Sequence, residues 1–206
     1  MHLHASATIL KRVTDKYINI YVDNNKGDII MITEKDNIKC ESIFNDTRTH
    51  RFLWKRVWDK DKPLACVIML NPCLSDNIVT DTTTSLVVNN IAKLQDFGGV
   101  SIVNLFSILT PKLQMRSARD IDINDYGNDT YISKAASEAS IVVLAWGRGA
   151  ENNARISNRV DQVLELLSEQ KEKLRVISDG KREGIHPLTP SCRHGWALEN
   201  FVDTSI

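Results

Sequence analysis

Net charge is the first thing this sequence lacks. Over 206 residues, 26 Lys and Arg are matched by 26 Asp and Glu. Bulk charge therefore gives no reason to expect a nucleic-acid partner, and only a local basic face remains open. No apolar run is long enough to span a bilayer. The first residues, MHLHASATILKRVTDKY, hold no long apolar segment of the signal-peptide kind. A soluble, cytoplasmic protein is expected. Cysteine is sparse and unpatterned: Cys40, Cys66, Cys73 and Cys192 form no C-x-x-C pair. That argues against a disulfide scaffold and fits a reducing compartment, with Cys66 a buried thiol inside an apolar run. No internal repeat and no low-complexity tract stands out. What remains is an ordinary globular mix, 42% hydrophobic and 25% charged, of a length suited to one sizeable domain with a small appendage.

Residues 1–46 differ in texture from the rest. The run IYVDNNKGDIIMI places two β-rich stretches around Asn24-Asn25-Lys26-Gly27, which reads as a hairpin. These residues are expected to form an N-terminal β-rich extension, and residues 47–206 an α/β domain. In the latter, LACVIML (64–70), VSIVNLF (100–106), IVVLAW (141–146) and LRVIS (174–178) read as strands, the apolar runs being those of strands buried on both faces. Helices are expected over 82–97, over 128–140, after a Ser157 cap, and after His194. The alternation implies parallel strands joined by right-handed crossovers. The expectation is thus a three-layer α/β/α fold around a central, mostly parallel four-stranded sheet.

Such sheets bind ligands beyond the carboxyl ends of their strands. After the first strand comes Asn71-Pro72-Cys73. A proline there stops the ladder and fixes the Asn71 amide, as a strand terminator or as the holder of a water or base edge. Near the end of the second lies Asn104, an amide in a buried strand that must find partners or cost about 1–3 kcal/mol. It is either a satisfied structural group or a reader of a planar ligand. After the third, Gly147 and Gly149 flank Arg148, a simple turn or a close backbone approach to phosphate. After the fourth, two prolines stiffen His186-Pro187-Leu188-Thr189-Pro190-Ser191, with Arg193 and His194 behind. Residues 47–62 carry six Lys/Arg against two Asp, and residues 171–194 six against three Asp/Glu. Trp54 and Trp58 in the first of these either track a nucleic-acid backbone or lie in the core of an amphipathic helix.

Together these stretches resemble the uracil-DNA glycosylase superfamily. Its strand ending in Asp-Pro or Asn-Pro is matched by LNP (70–72), its strand with a base-reading Asn by IVNLF (102–106), its LLWG-like strand by VLAWG (143–147), and its HPSPLS-like loop by HPLTPS (186–191). A nearer resemblance, over roughly residues 47–201, is to an uncharacterised bacterial, phage and mobile-element family with an LNPS…DPT pattern. It is matched here by LNPC (70–73) and TDTTT (80–84).

The superfamily resemblance implies a monofunctional DNA glycosylase. It would flip uracil, or another damaged or modified base, out of single- or double-stranded DNA and hydrolyse its N-glycosidic bond without a metal or cofactor. Asn71 would position the attacking water and His186 would stabilise charge on the departing base. Asn104 would read the base edge, Leu188 would wedge into the vacated stack, and Arg193 would hold a phosphate. Pro72, Cys73, Gly147, Arg148 and Ser191 would complete the substrate surface. The sequence departs from the superfamily in four respects. Cys73 is neither the Tyr nor the Gly found after the Pro. Asn71 has no charge with which to act as a base, so that Asp76 or Asp81 would substitute as the base, or else each fills a turn or capping role. No Phe or Tyr lies between Cys73 and Gln95, and the cysteines do not match an iron–sulfur spacing. A non-catalytic DNA- or nucleotide-binding module and a nucleoside or nucleotide N-glycosidase are the competing functions. A zinc site from His186, Cys192 and His194 lacks a fourth ligand.

Overall fold

The structure, a computed structural model, describes residues 5–13, 16–23, 29–113, 119–193 and 195–202, with side chains from Thr33 onward except at Ala150. Three strands, β1 (Ala5–Val13), β2 (Lys16–Asp23) and β3 (Ile29–Lys35), form an antiparallel sheet of their own. β2 and β3 pair as the expected hairpin. Its turn residues, 24–28, lie outside the described residues.

The second sheet has seven strands: β4 (Lys39–Phe44), β5 (Arg51–Val57), β6 (Leu64–Met69), β7 (Gly99–Asn104), β8 (Ile141–Leu144), β9 (Leu174–Ser178) and β10 (Ala197–Asn200). Their spatial order is β10-β9-β8-β6-β7-β5-β4. The sheet is mixed: β6 pairs in parallel with β7 and β8, and β8 with β9. The β4–β5, β5–β7 and β9–β10 pairs are antiparallel. It is therefore larger than the four strands expected. The additional strands are the outer ones, β4, β5 and β10, where polar and charged residues interrupt the apolar runs. Residues 51–57 form β5 rather than a helix, and Trp54 is fully buried in it. The segment after His194 is strand β10 rather than a helix; its residues 197–200 complete the ladder on β9. The boundary expected at 46/47 falls inside the β4–β5 hairpin.

Alternation along β6 explains the two cores. Ala65, Val67 and Met69 face one cluster with Trp54, Val87, Ile91, Val100, Ile102, Val143 and Ile177. Cys66 and Ile68 face the other, with Val103, Leu105, Ile132, Ala136 and Val163. The first cluster is covered by α1 (Thr82–Lys93), the second by α3 (Asn128–Glu138) and α4 (Ala154–Leu166). A single turn, α2 (Asp120–Ile123), precedes α3. Burial pushes the Cys66 thiol up to about 12, which leaves it protonated and inert. α4 is capped by Asn153, not Ser157: the Asn153 side chain accepts from the N–H groups of Arg155 and Ile156. Among the described residues no helix is long and apolar enough to cross a membrane.

Past the end of β7 the carbonyls of Asn104 and Leu105 need partners. The buried Asn128 amide donates to both, at 3.0 and 3.3 Å. Arg159 Nε donates to the Leu105 carbonyl at 2.8 Å, and its guanidinium pairs with Asp129. Removing Asn128 leaves the Asn104 carbonyl without a side-chain donor. Asn128→Ala should lower unfolding free energy by about 2 kcal/mol in urea titrations, with an unchanged denaturant slope.

Candidate active site

The carboxyl ends of β9, β8, β6 and β7 share one edge because these four strands are mutually parallel. β6 is flanked by β7 and β8. Asn71 follows β6, Asn104 ends β7, and Gly147 follows β8. Asn71 thus stands between the other two along the edge.

The Asn71 amide is fixed by its nitrogen. Nδ2 donates to the Thr110 carbonyl at 2.8 Å and to the Pro72 carbonyl at 3.2 Å. Pro72 is buried, and its carbonyl also accepts from the Thr110 N–H at 3.2 Å. With both amide hydrogens committed, Oδ1 is left as a bare acceptor. Asn104 is the opposite case. It is 1% exposed, yet its side chain makes no hydrogen bond with any described residue, and its Oδ1 is a buried acceptor with no partner. Parity along β7 puts it on the α1 face with Val100 and Ile102.

The loop after Cys73 is held by β5. Arg51 Nη1 donates to the Ser75 carbonyl at 2.8 Å, Trp54 Nε1 to the Asp76 carbonyl at 3.1 Å, and Arg56 Nη2 to the Asn77 carbonyl at 3.0 Å. Three donors on one strand thus take three consecutive carbonyls. Arg51 can reach the loop because β5 bulges at Phe52: Ile43 faces Leu53, but the next residue, Phe44, faces Arg51. The extra residue, Phe52, turns to stack on Tyr131 of α3. Arg51 is thereby brought to the α1 face at 1% exposure.

Neither Asp76 nor Asp81 is free to act as a base. The Asp76 carboxylate accepts from the N–H groups of Ile78 and Val79, which lower its pKa. Asp81 caps α1 through the Thr84 N–H and hydroxyl. Burial alone would raise Asp81, but the bonds from Thr84, Ser75 and Thr83 hold it below the ordinary carboxylate value. The half-buried Cys73 thiol is raised by burial and by Asp81, against a smaller opposing effect of Arg51. It is a neutral thiol, not a nucleophile.

His186 sits against Gly147. A Cβ on Gly147 would lie 3.0 Å from the His186 Cβ, and Gly147 has φ +73°. Only glycine satisfies both demands. His186 Nδ1 accepts from the Leu188 N–H at 3.1 Å, so in the neutral ring the proton is on Nε2. Burial lowers its pKa, which makes the neutral ring the form present at pH 7.

The rest of the His186 loop is tied internally. Ser191 donates to Asp179 at 2.6 Å, and Arg193 Nε to the Leu188 carbonyl at 2.8 Å. Asn90 of α1 donates to the Arg193 carbonyl. The Ser191 hydroxyl and the Arg182 guanidinium hold the Asp179 carboxyl far below its usual range. Ser191 and Arg193 therefore brace the loop, while Leu188 is 36% exposed at its rim. Cys192 is buried with its thiol on the carbonyls of Thr189 and His186. Arg148 pairs with Glu151 on the surface. His194 lies outside the described residues, among which no group of three metal-ligating side chains occurs.

Sequence reasoning missed Arg51, the deepest cation near this edge. Its only signal was membership of a basic run, and its placement depends on a bulge that no periodicity marks. The Gly147–His186 contact is open to direct test. Gly147→Ala meets both a positive φ and a neighbour, whereas Gly180→Ala meets a positive φ in open space. In urea titrations Gly147→Ala should cost about 2 kcal/mol and Gly180→Ala about 1.

A family model described as "Protein of unknown function (DUF1643)" matches residues 51–188. No curated protein and no solved structure matches the chain. The matched stretch runs from the first residue of β5 to Leu188 in the His186 loop and covers more than half of the sequence. The chain belongs to the DUF1643 family.

Proposed function

We propose that this protein is a DNA glycosylase of the uracil-DNA-glycosylase type, hydrolysing the N-glycosidic bond of uracil or another damaged or modified base. One observation carries the reading: the order of groups along the strand-end edge. Asn104, an unpartnered amide, lies on one side of Asn71, and His186, packed on Gly147, on the other. A base reader, a water acceptor and a leaving-group donor are the three parts that this reaction requires.

Breaking the bond leaves positive charge on the sugar and negative charge on the base. Asn71 Oδ1 accepts a hydrogen bond from water and aims its lone pair at the sugar carbon. An amide cannot take the proton, so water attacks a sugar that has already developed cationic character, and the proton it loses passes through solvent to the base anion released when the C–N bond breaks. The His186 Nε2–H donates to the oxygen of the departing base, where negative charge accumulates. A neutral donor in a partly buried place is well suited to this, since it needs no charge to be desolvated beforehand. The target nucleotide leaves the stack first, at a cost of a few kcal/mol in a duplex and less in a single strand. Leu188 is exposed at the rim where it can fill the gap.

The test uses labelled oligonucleotides with one uracil, single-stranded or paired with G or A, followed by hot alkali. Strand breaks are expected, with the rate reduced about 100-fold or more in both Asn71→Ala and His186→Ala. The rate should be level between pH 7 and 8. It should fall only on the acid side of the ordinary histidine value, because burial lowers the His186 pKa, and there Nδ1 takes a proton and loses the Leu188 N–H. Salt-dependent DNA binding without release of uracil or of any base in a modified-base panel would replace this reading with a binding module.

A further inference from the structure

Two buried side chains at the candidate site have hydrogen-bonding groups that no described residue uses. Arg51 is 1% exposed, and its Nη1 bonds to Ser75, but Nε and Nη2 are buried without partners. Asn104 is equally buried, and its Oδ1 is likewise unpartnered. Other buried amides differ: Asn90 and Asn128 have an idle oxygen too, but their nitrogens are bonded. Idle buried groups cost about 1–3 kcal/mol each, and more where charge is involved. The bonds of Arg51 Nη1 hold the loop after Cys73, but they leave Nε and Nη2 idle.

The two groups lie on adjacent strands. β5 pairs antiparallel with β7 through Trp54↔Ile102, and the Arg51 N–H donates to the Ser107 carbonyl just beyond the ladder. Beyond that pair the register shifts by two residues, since His50 bridges Ile108, so Arg51 and Asn104 both lie in the irregular stretch just past the last regular pair of adjacent strands. The bulge at Phe52 then delivers the Arg51 side chain to the same α1 face as Asn104. Idle donors and an idle acceptor thus stand on adjacent strands without bonding each other.

We infer that Arg51 and Asn104 together read the edge of a planar base that presents a ring carbonyl beside a ring N–H, as uracil and hypoxanthine do and cytosine and adenine do not. Arg51 Nε and Nη2 donate to the carbonyl oxygen, and Asn104 Oδ1 accepts the ring N–H. An amino base offers the reverse: an exocyclic donor toward the guanidinium and a bare ring nitrogen toward Oδ1. Both contacts are then lost, and two buried donors confront each other. A neutral carbonyl suits this place better than an anion, because Asp81 already opposes the Arg51 charge. Arg51 is thus a specificity-determining residue outside the four strand-end motifs. This assignment names the substrate class of the proposed glycosylase and rests on that reading for the chemistry, though not for the binding.

Free bases separate the two. In 1H–15N spectra of the intact protein, the Arg51 Nε–H resonance, assigned with Arg51→Lys, should shift on titration with uracil or hypoxanthine and stay put with cytosine or adenine. Arg51→Met should weaken uracil binding at least tenfold without weakening cytosine binding. The wild-type resonance decides the matter even if the variant fails to fold. Selective shifts without base release from DNA would uphold the inference and defeat the glycosylase. Uracil release with an unmoved Arg51 resonance, or with uracil-over-cytosine preference intact in Arg51→Met, would overturn the inference and leave the glycosylase standing. An unmoved resonance with all four bases at their solubility limits also overturns it.

Discussion

The clamp of β5 on the loop after Cys73 is the constraint on which the rest of the site depends. Arg51, Trp54 and Arg56 each donate to one of the consecutive carbonyls of Ser75, Asp76 and Asn77. A loop with three successive backbone acceptors fixed has little freedom left. It connects the end of the central strand to the Asp81 cap of α1, so both ends inherit its position. The clamp also explains two features that look wasteful in isolation. The bulge at Phe52 gives up a regular pair so that Arg51 can turn toward the loop. A guanidinium is then buried, which is tolerable only with bonds to Ser75 and the nearby Asp81 carboxylate.

Neutral groups dominate the edge itself. Asn71 offers an oxygen, Asn104 a whole amide, His186 an Nε2–H, and Cys73 a protonated thiol. The nearby carboxylates are each consumed by backbone N–H groups or by neighbouring side chains. An edge of this composition is poorly equipped for nucleophilic catalysis or strong base catalysis. It is well equipped to orient water and to receive a planar, polar leaving group. The His186 loop follows the same logic, since Ser191, Arg193 and Asn90 brace it and leave the imidazole Nε2 without a partner among the described residues.

The inner strands were legible because parallel strands buried on both faces are written as unbroken apolar runs, as in LACVIM and IVVL. β5 was not, because Arg51, Lys55 and Arg56 interrupt Phe52, Leu53 and Trp54, and the bulge breaks the two-residue period. β10 is too short to carry a period at all. Among site residues, Asn71, Asn104, Gly147 and His186 could be picked out from their places at strand ends. Their neighbours' roles could not: Ser191 braces against Asp179 and Arg193 against Leu188 through loop geometry alone. Asp76 and Asp81 were open between catalysis and capping, and the caps prevailed because each carboxylate faces unpaired N–H groups at a turn or helix start. Arg51 required knowledge of which strand lies beside β7, which is a long-range fact.

The proposed chemistry depends most directly on the state of His186. Nitrogen-15 and carbon-13 spectra of the ring, followed from pH 8 to pH 5, report its tautomer and its pKa together. A neutral ring protonated at Nε2, titrating below about 6.5, is the result this account predicts. A ring protonated at Nδ1, or one that is already imidazolium at pH 7, would contradict it, because the edge would then have no neutral donor to offer a departing base.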